Sequence, residues 1–247
     1  MSEATAPPPV ALVTGAERGI GKECARQLLE CGYTVILGCY DLSEAAITAR
    51  ELSPLGTVHV VALDVADDDS IAAAMEAVAD ITPVIDALVN NAGVTALGSA
   101  RDVTRAQLHS LFDVNAFGAA LLTRAALPLL ARASSPRIVN VSSGGGSLTR
   151  AAAFAAAGGP GAAILAYASS KAALNMITVQ TRLTLDSDPA LRHIKINSVG
   201  PGTTATQVSG FVGQHPSDGA RVLVLMATLD DDGPTGGFFE WEGPVEW

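Results

Sequence analysis

Two side chains four positions apart, Tyr167 and Lys171 in the run YASSK, carry the clearest chemical potential in this sequence. On a helix they project from one face, and an ammonium beside a phenol favours the phenolate. The tyrosine pKa is then drawn down from about 10 towards neutrality, which makes the phenol a usable general acid and base. A second run, TGAERGIG at 14–21, sets Gly15, Gly19 and Gly21 between a β-branched stretch and an Ala/Leu-containing one. Glycines there permit a tight turn and close backbone approach, so a pyrophosphate can rest against the N–H groups of the following helix. A dinucleotide is the natural ligand of such a loop. The spacing G-x-x-x-G-x-G differs from the G-x-G-x-x-G fingerprint, so the loop gains its meaning from context.

That context is a regular alternation of short β-branched runs with longer helical windows, the signature of βαβ units and a parallel sheet. Strands are expected at Val10–Thr14, Thr34–Cys39, Val58–Leu63, Ala87–Asn90, Arg137–Ser142 and Ile194–Val199. Helices are expected at Ile20–Cys31, Ser43–Leu52, Asp68–Asp80, Arg105–Leu130, Ala166–Leu185 and Ser217–Leu229. The strand runs are apolar almost throughout, as they are when helices cover both faces of a sheet. The fold class is therefore α/β, a single doubly wound parallel sheet of Rossmann type with about seven strands. Ligands of such sheets lie at the carboxyl ends of the strands, near the point where the strand order reverses. Residues 1–247 read as one domain with a flexible leader at 1–8 and an inserted substrate loop at 144–166. Within that loop, 144–161 reads GGGSLTRAAAFAAAGGPG, too glycine-rich for a regular element, and is expected to be a mobile flap.

Composition narrows the function. The chain has 247 residues, 49% of them apolar and 16% charged, and a mean hydropathy of +0.34, which excludes a disordered polypeptide. Its apolar runs are far shorter than the roughly 20 residues that cross a bilayer, so no membrane partner is expected. With a formal charge of −10 and no basic cluster, it offers nothing to a nucleic-acid backbone. Cys24, Cys31 and Cys39 form no C-x-x-C pair and the four histidines are scattered, so no metal site is legible. The first residues lack a secretory pattern, and a cytoplasmic location is expected.

The fourth strand ends in Asn90-Asn91-Ala92-Gly93, the fifth in Asn140-Val141-Ser142-Ser143, and Tyr167 and Lys171 follow; Asn115 lies within FDVNAFG and Pro201-Gly202 closes the series. This ordered set resembles the short-chain dehydrogenase/reductase family over nearly the whole chain, and most closely its carbonyl reductase-like subgroup. The resemblance implies hydride transfer between a nicotinamide and a carbonyl or carbinol carbon, with Tyr167 moving the proton on oxygen and without a metal. A serine hydroxyl can donate to the substrate oxygen as charge develops there, and in the family this is the second serine of the pair, Ser143, rather than Ser142. Asn115 resembles the asparagine that props a water near the lysine. By the same resemblance, cofactor contacts fall on Gly15, Arg18, Gly19, Ile20 and Gly21; on Tyr40; on Asp64 and Val65 at the adenine edge; and on Asn90, Ala92 and Gly93, Asn90 being the expected direct contact. Tyr167 and Lys171 hold the nicotinamide ribose, while Pro201, Gly202, Thr204 and Thr206 clasp the nicotinamide and pyrophosphate.

An acid at the end of the second strand would select NAD through the ribose 2′-hydroxyl, whereas an arginine nearby accommodates the 2′-phosphate of NADP. Cys39 stands at the acidic position and Arg18 in the glycine loop, which favours NADPH/NADP+. Tyr40 brings no second arginine, and Asp41, one residue on, keeps NAD(H) as the alternative. Ser143 and Tyr167 are separated by 24 positions, longer than the family's usual interval, as in its monomeric carbonyl reductases. The resemblance therefore tilts towards a monomer acting on a small-molecule carbonyl or alcohol; Leu148, Phe154, Ile164 and Leu165 suggest an apolar wall for a ketone, aldehyde or quinone. A regulator or scaffold without turnover, and a relative catalysing dehydration or epimerisation, are the competing functions. Phe238, Phe239, Trp241 and Trp247 are expected to pack a final edge strand onto the body.

Overall fold

A computed structural model of the chain describes residues 7–156 and 163–247. Seven strands run parallel: β1 (Val10–Thr14), β2 (Thr34–Cys39), β3 (Val58–Ala62), β4 (Ala87–Asn90), β5 (Arg137–Val141), β6 (Lys195–Val199) and β7 (Phe238–Glu240). A short β8 (Gly243–Val245) returns antiparallel to β7, and the order across the sheet is β3-β2-β1-β4-β5-β6-β7-β8. The two last strands are three residues each and carry no β-branched run; the C-terminal aromatics supply the packing instead, with Phe238 buried and stacked on Trp247 at 5.7 Å between ring centres.

Strand alternation sends neighbouring residues to opposite faces. Ala11, Val13, Val35, Leu37, Ala87 and Val89 join one core, closed by α1 (Gly19–Glu30), α2 (Leu42–Leu52) and α8 (Pro216–Ala227). Leu12, Ile36, Leu88, Ile138 and Ile196 join the other, closed by α3 (Asp68–Ile81) and α5 (Ala119–Leu130), with Leu185 of α7 (Leu165–Ser187). The helix expected over 105–130 is not continuous. It comprises α4 (Arg105–Phe112), a π-helical turn at Asp113–Gly118, and α5. Asn115 sits in that turn, and single π turns inside helices re-aim side chains.

Part of 144–161, expected to hold no regular element, is regular. Gly144–Gly146 forms a 3-10 turn and Ala151–Ala156 a short helix, α6, while 157–162 lies outside the described residues, as does 1–6 of the leader. The glycine run has a packing reason: a Cβ on Gly146 would come within 2.8 Å of the Lys171 carbonyl carbon. Farther along, Ser147 donates to the Glu246 carbonyl at 2.8 Å and the Thr149 N–H to that of Trp247 at 3.0 Å. The C-terminus thus straps this segment down.

Candidate active site

Strand order reverses between β1 and β4, and the loops leaving these strands are tied to each other there. The Thr14 hydroxyl accepts from the N–H groups of Asn91 and Ala92 at 3.0 and 2.9 Å, and the Asn91 side-chain amide donates to the carbonyls of Thr14 and Gly15 at 2.8 and 3.1 Å. Gly15 and Gly19 have φ of +61° and +57°, a conformation that side chains other than glycine's resist. A Cβ on Gly21 would overlap the Gly15 carbonyl and the Asn91 amide. The loop therefore brings bare backbone to the start of α1, whose N-terminus no side chain caps. Such an end attracts a phosphate. Thr206 faces it from the opposite loop, its methyl 3.3 Å from where a Cβ on Gly19 would stand.

On the catalytic side, Tyr167 and Lys171 share one face of α7, the Lys171 Nζ lying 5.9 Å from the centre of the Tyr167 ring. Lys171 is buried and donates to the Val141 carbonyl at 2.8 Å, where β5 ends. Ser143 lies two residues beyond; its hydroxyl accepts from the Gly145 N–H at 3.2 Å and works against the upward shift of the Tyr167 pKa. Ser142 is turned away to the Lys171 carbonyl at 3.4 Å. The Asn115 amide accepts from the Val94 N–H at 2.8 Å and donates to the Val94 carbonyl at 2.9 Å and to Ser170 at 3.0 Å. Ser170 in turn donates to the Tyr167 carbonyl at 2.7 Å. A side chain on Gly93 would reach within 3.3 Å of Asn115 Oδ1 and 3.4 Å of Lys171 Nζ, so glycine leaves open the space that these groups border.

The electrostatics correct one expectation. Burial raises the Tyr167 pKa above its ordinary value, and the Ser143 hydroxyl offsets this in part, so the net shift is upward. Burial also lowers Lys171 to about 8, so its charge is itself held at a cost. The phenol is accordingly a proton donor at neutral pH, and the ammonium, directed at Val141, becomes important when negative charge forms on the tyrosine.

The side chains of several other residues expected at a cofactor have partners within the protein. The Asn90 amide nitrogen donates to Thr123 at 3.0 Å and Asn140 at 2.8 Å, while its Oδ1 is buried without a partner. Asn140 continues to Thr178 at 2.8 Å and Thr178 to Ser198 at 2.8 Å, a buried polar chain that ties α7 to β5 and β6. The Thr204 hydroxyl is buried and donates to the Pro201 and Gly202 carbonyls at 3.3 and 3.2 Å. Asp64 accepts from the Ala66 N–H at 2.9 Å, and Val65 packs against Gly118 of the π turn. Ile20 is partly buried against the core, Tyr40 is 76% exposed, and Arg18 lies at the surface with Glu44 at 3.2 Å. Gly202 has φ +71° and ends the β6 loop together with Pro201.

Sequence reasoning missed Thr14 and Asn91 as the ties between the loops, and it missed Glu17. That carboxyl is 7% exposed, helps burial to raise the pKa of the Cys39 thiol at the end of β2, and keeps Oε2 buried without a partner. An orphaned acceptor at this place fits a hydroxyl donor such as a nucleotide ribose, and the glycine cradle fits a pyrophosphate. The residues present therefore suit a dinucleotide.

Residues 9–216 match the family model for short chain dehydrogenase. The chain is 33% identical over 230 residues to the short-chain dehydrogenase anuI of Penicillium roqueforti (strain FM164), covering 89% of this chain and 88% of that protein. It is 28% identical to the salutaridine reductase of Papaver bracteatum, with 93% of each chain covered. Among solved structures, the NADPH-bound carbonyl reductase from chicken fatty liver superimposes with a TM-score of 0.85 at 27% identity, covering 98% of this chain and 100% of that one. The family model spans the loops tied at the reversal of strand order and the segment that carries Ser143, Tyr167 and Lys171, and the chain belongs to the short chain dehydrogenase family.

Proposed function

We propose that this protein reduces a carbonyl compound to an alcohol with NADP(H), using Tyr167 as general acid. The observation that carries the reading is the meeting of Ser143, Tyr167 and Lys171 at the carboxyl end of β5, beside the uncapped start of α1. When bound, the reduced dinucleotide supplies the hydride to the carbonyl carbon. The Ser143 hydroxyl donates to the carbonyl oxygen, which gains negative charge as the reaction proceeds. Tyr167, kept protonated by burial, passes its phenolic proton to that oxygen, and the Lys171 ammonium stabilises the phenolate left behind. Asn115 and Ser170 fix the first turns of α7, on which both groups stand.

Three observations favour the 2′-phosphorylated cofactor. Cys39, buried, rather than an acid is the last residue of β2; Arg18 is at the surface of the glycine loop; and Asp41 is committed to capping α2, accepting from Ser43 and Glu44 at 2.9 and 3.1 Å. Lys171 and Tyr167 would hold the nicotinamide ribose, the 201–206 loop the nicotinamide, and Gly15, Gly19 and Gly21 the pyrophosphate. Leu97, Leu148, Phe211 and Val212 are exposed apolar side chains on segments leading out of the site, which supports a substrate of modest polarity. A cytoplasmic monomer remains part of the proposal; no helix of the described residues is long and apolar enough to cross a membrane. Titrating NADPH and NADH separately and then screening ketones, aldehydes and quinones by loss of reduced-nicotinamide absorbance tests the reading. NADPH consumption matched by alcohol formation is expected; tight binding with no turnover across the panel would instead support a regulator.

A further inference from the structure

The adenosine end of the site carries a charge pair that the NADP(H) reading does not explain. Arg18, the N-cap of α1, holds Glu44 of α2 at 3.2 Å, with side chains 50% and 47% exposed. Lys22, one turn along α1 from Arg18, is itself paired with Glu51 of α2. Asp41 and Glu44 both belong to the N-terminal turn of α2, and Glu17 is buried behind the loop. A 2′-phosphate therefore meets one arginine that is already occupied by a carboxylate.

We propose that Glu44 sets the cofactor preference by competing with the 2′-phosphate for Arg18. The inference rests on the dinucleotide reading above and deepens it. An exposed ion pair of this kind contributes little and opens easily, so NADP(H) can displace Glu44, while NAD(H), with a hydroxyl in place of the phosphate, leaves the pair intact. Arginine binds phosphate in a forked, charge-assisted arrangement that a carboxylate on the same nitrogens obstructs. Glu44 thus narrows a preference that Arg18 creates, and the protein keeps measurable use of both cofactors.

The test is fluorescence titration of the full-length protein with NADPH and NADH. Glu44→Gln is expected to tighten NADPH about fivefold, corresponding to a pair worth about 1 kcal/mol, with NADH changed less than about twofold. Glu51→Gln removes the same charge from the same helix away from the loop and is expected to change neither. In an Arg18→Ala background the Glu44→Gln gain should vanish, because the two side chains act through one contact. An unchanged NADPH affinity in Glu44→Gln, equal tightening of both cofactors, or a gain that survives Arg18→Ala would overturn the inference. A wild type that binds neither dinucleotide would overturn the cofactor reading itself, and this inference with it.

Discussion

The two ends of the candidate site are built on opposite principles. At the catalytic end Lys171, Asn115 and Ser170 are buried, and each is fixed by short hydrogen bonds to backbone or to one another. At the end proposed for adenosine Arg18 and Glu44 are exposed and meet in a surface pair, and Tyr40 is exposed as well. Buried polar groups are costly to misplace and so hold geometry, whereas exposed charges are cheap to rearrange. Chemistry is thereby written into the packed part of the fold. Selectivity is left where one substitution can retune it without disturbing the core.

Substitutions at the two ends should separate accordingly. Tyr167→Phe removes the proton donor and keeps the ring, so kcat should fall about 10³-fold while NADPH affinity, read by fluorescence, changes less than about threefold. A parallel loss of cofactor affinity would mean that the two ends are not independent. Lys171 gives the next largest effect, on stability. Its folded pKa of about 8 lies below the ordinary 10.5, so the folded state binds fewer protons than the unfolded one between these values. Stability from this residue is therefore lowest below about pH 8 and recovers as pH rises towards 10.5, by about 3 kcal/mol in all. Cys24 and Cys39 work the other way above their ordinary 9.0, because burial holds both thiols protonated in the folded state. Urea unfolding of wild type and Lys171→Met at pH 7 and 9.5 isolates the lysine: the variant's stability advantage should shrink at the higher pH. Ser143→Ala should cost about 10²-fold in kcat with little change in KM, measured in steady state. Gly21→Ala, which forces a methyl against the Gly15 carbonyl and Asn91, should destabilise by about 2 kcal/mol in thermal unfolding. The smallest effect is the fivefold tightening of NADPH in Glu44→Gln, confined to the adenosine end.

Much of this contrast was legible in the residues. The glycine loop, the Asn90–Gly93 turn, Ser143 and the Tyr167/Lys171 pair all fall where a doubly wound sheet needs them, because local spacing and strand order suffice to place them. What escaped depends on tertiary contact. Asn90 shares strand phase with Leu88, which faces α5, so period-two alternation sends its amide towards Thr123, a partner that only the docked α5 supplies. The π turn at 113–118 is hidden because FDVNAFG continues an apolar helical pattern, and the turn's tight approach to Val65 arises only once α4 and α5 dock on the sheet. The direction of the Tyr167 shift was misjudged for a related reason. Spacing on a helix shows that an ammonium is near, but not that burial outweighs it. Glu44 lies 26 positions from Arg18, and the partnership exists only after β2 and α2 are in place.

The central claim is that a carbonyl carbon receives hydride while Tyr167 protonates its oxygen. The most direct measurement supplies NADPH carrying deuterium at the transferable C4 position together with an aromatic ketone, and locates the label in the alcohol by mass spectrometry and NMR. Deuterium is expected on the carbinol carbon with wild type, and almost none with Tyr167→Phe. Alcohol formed with protium at that carbon, or equal labelling by the phenylalanine variant, would contradict it.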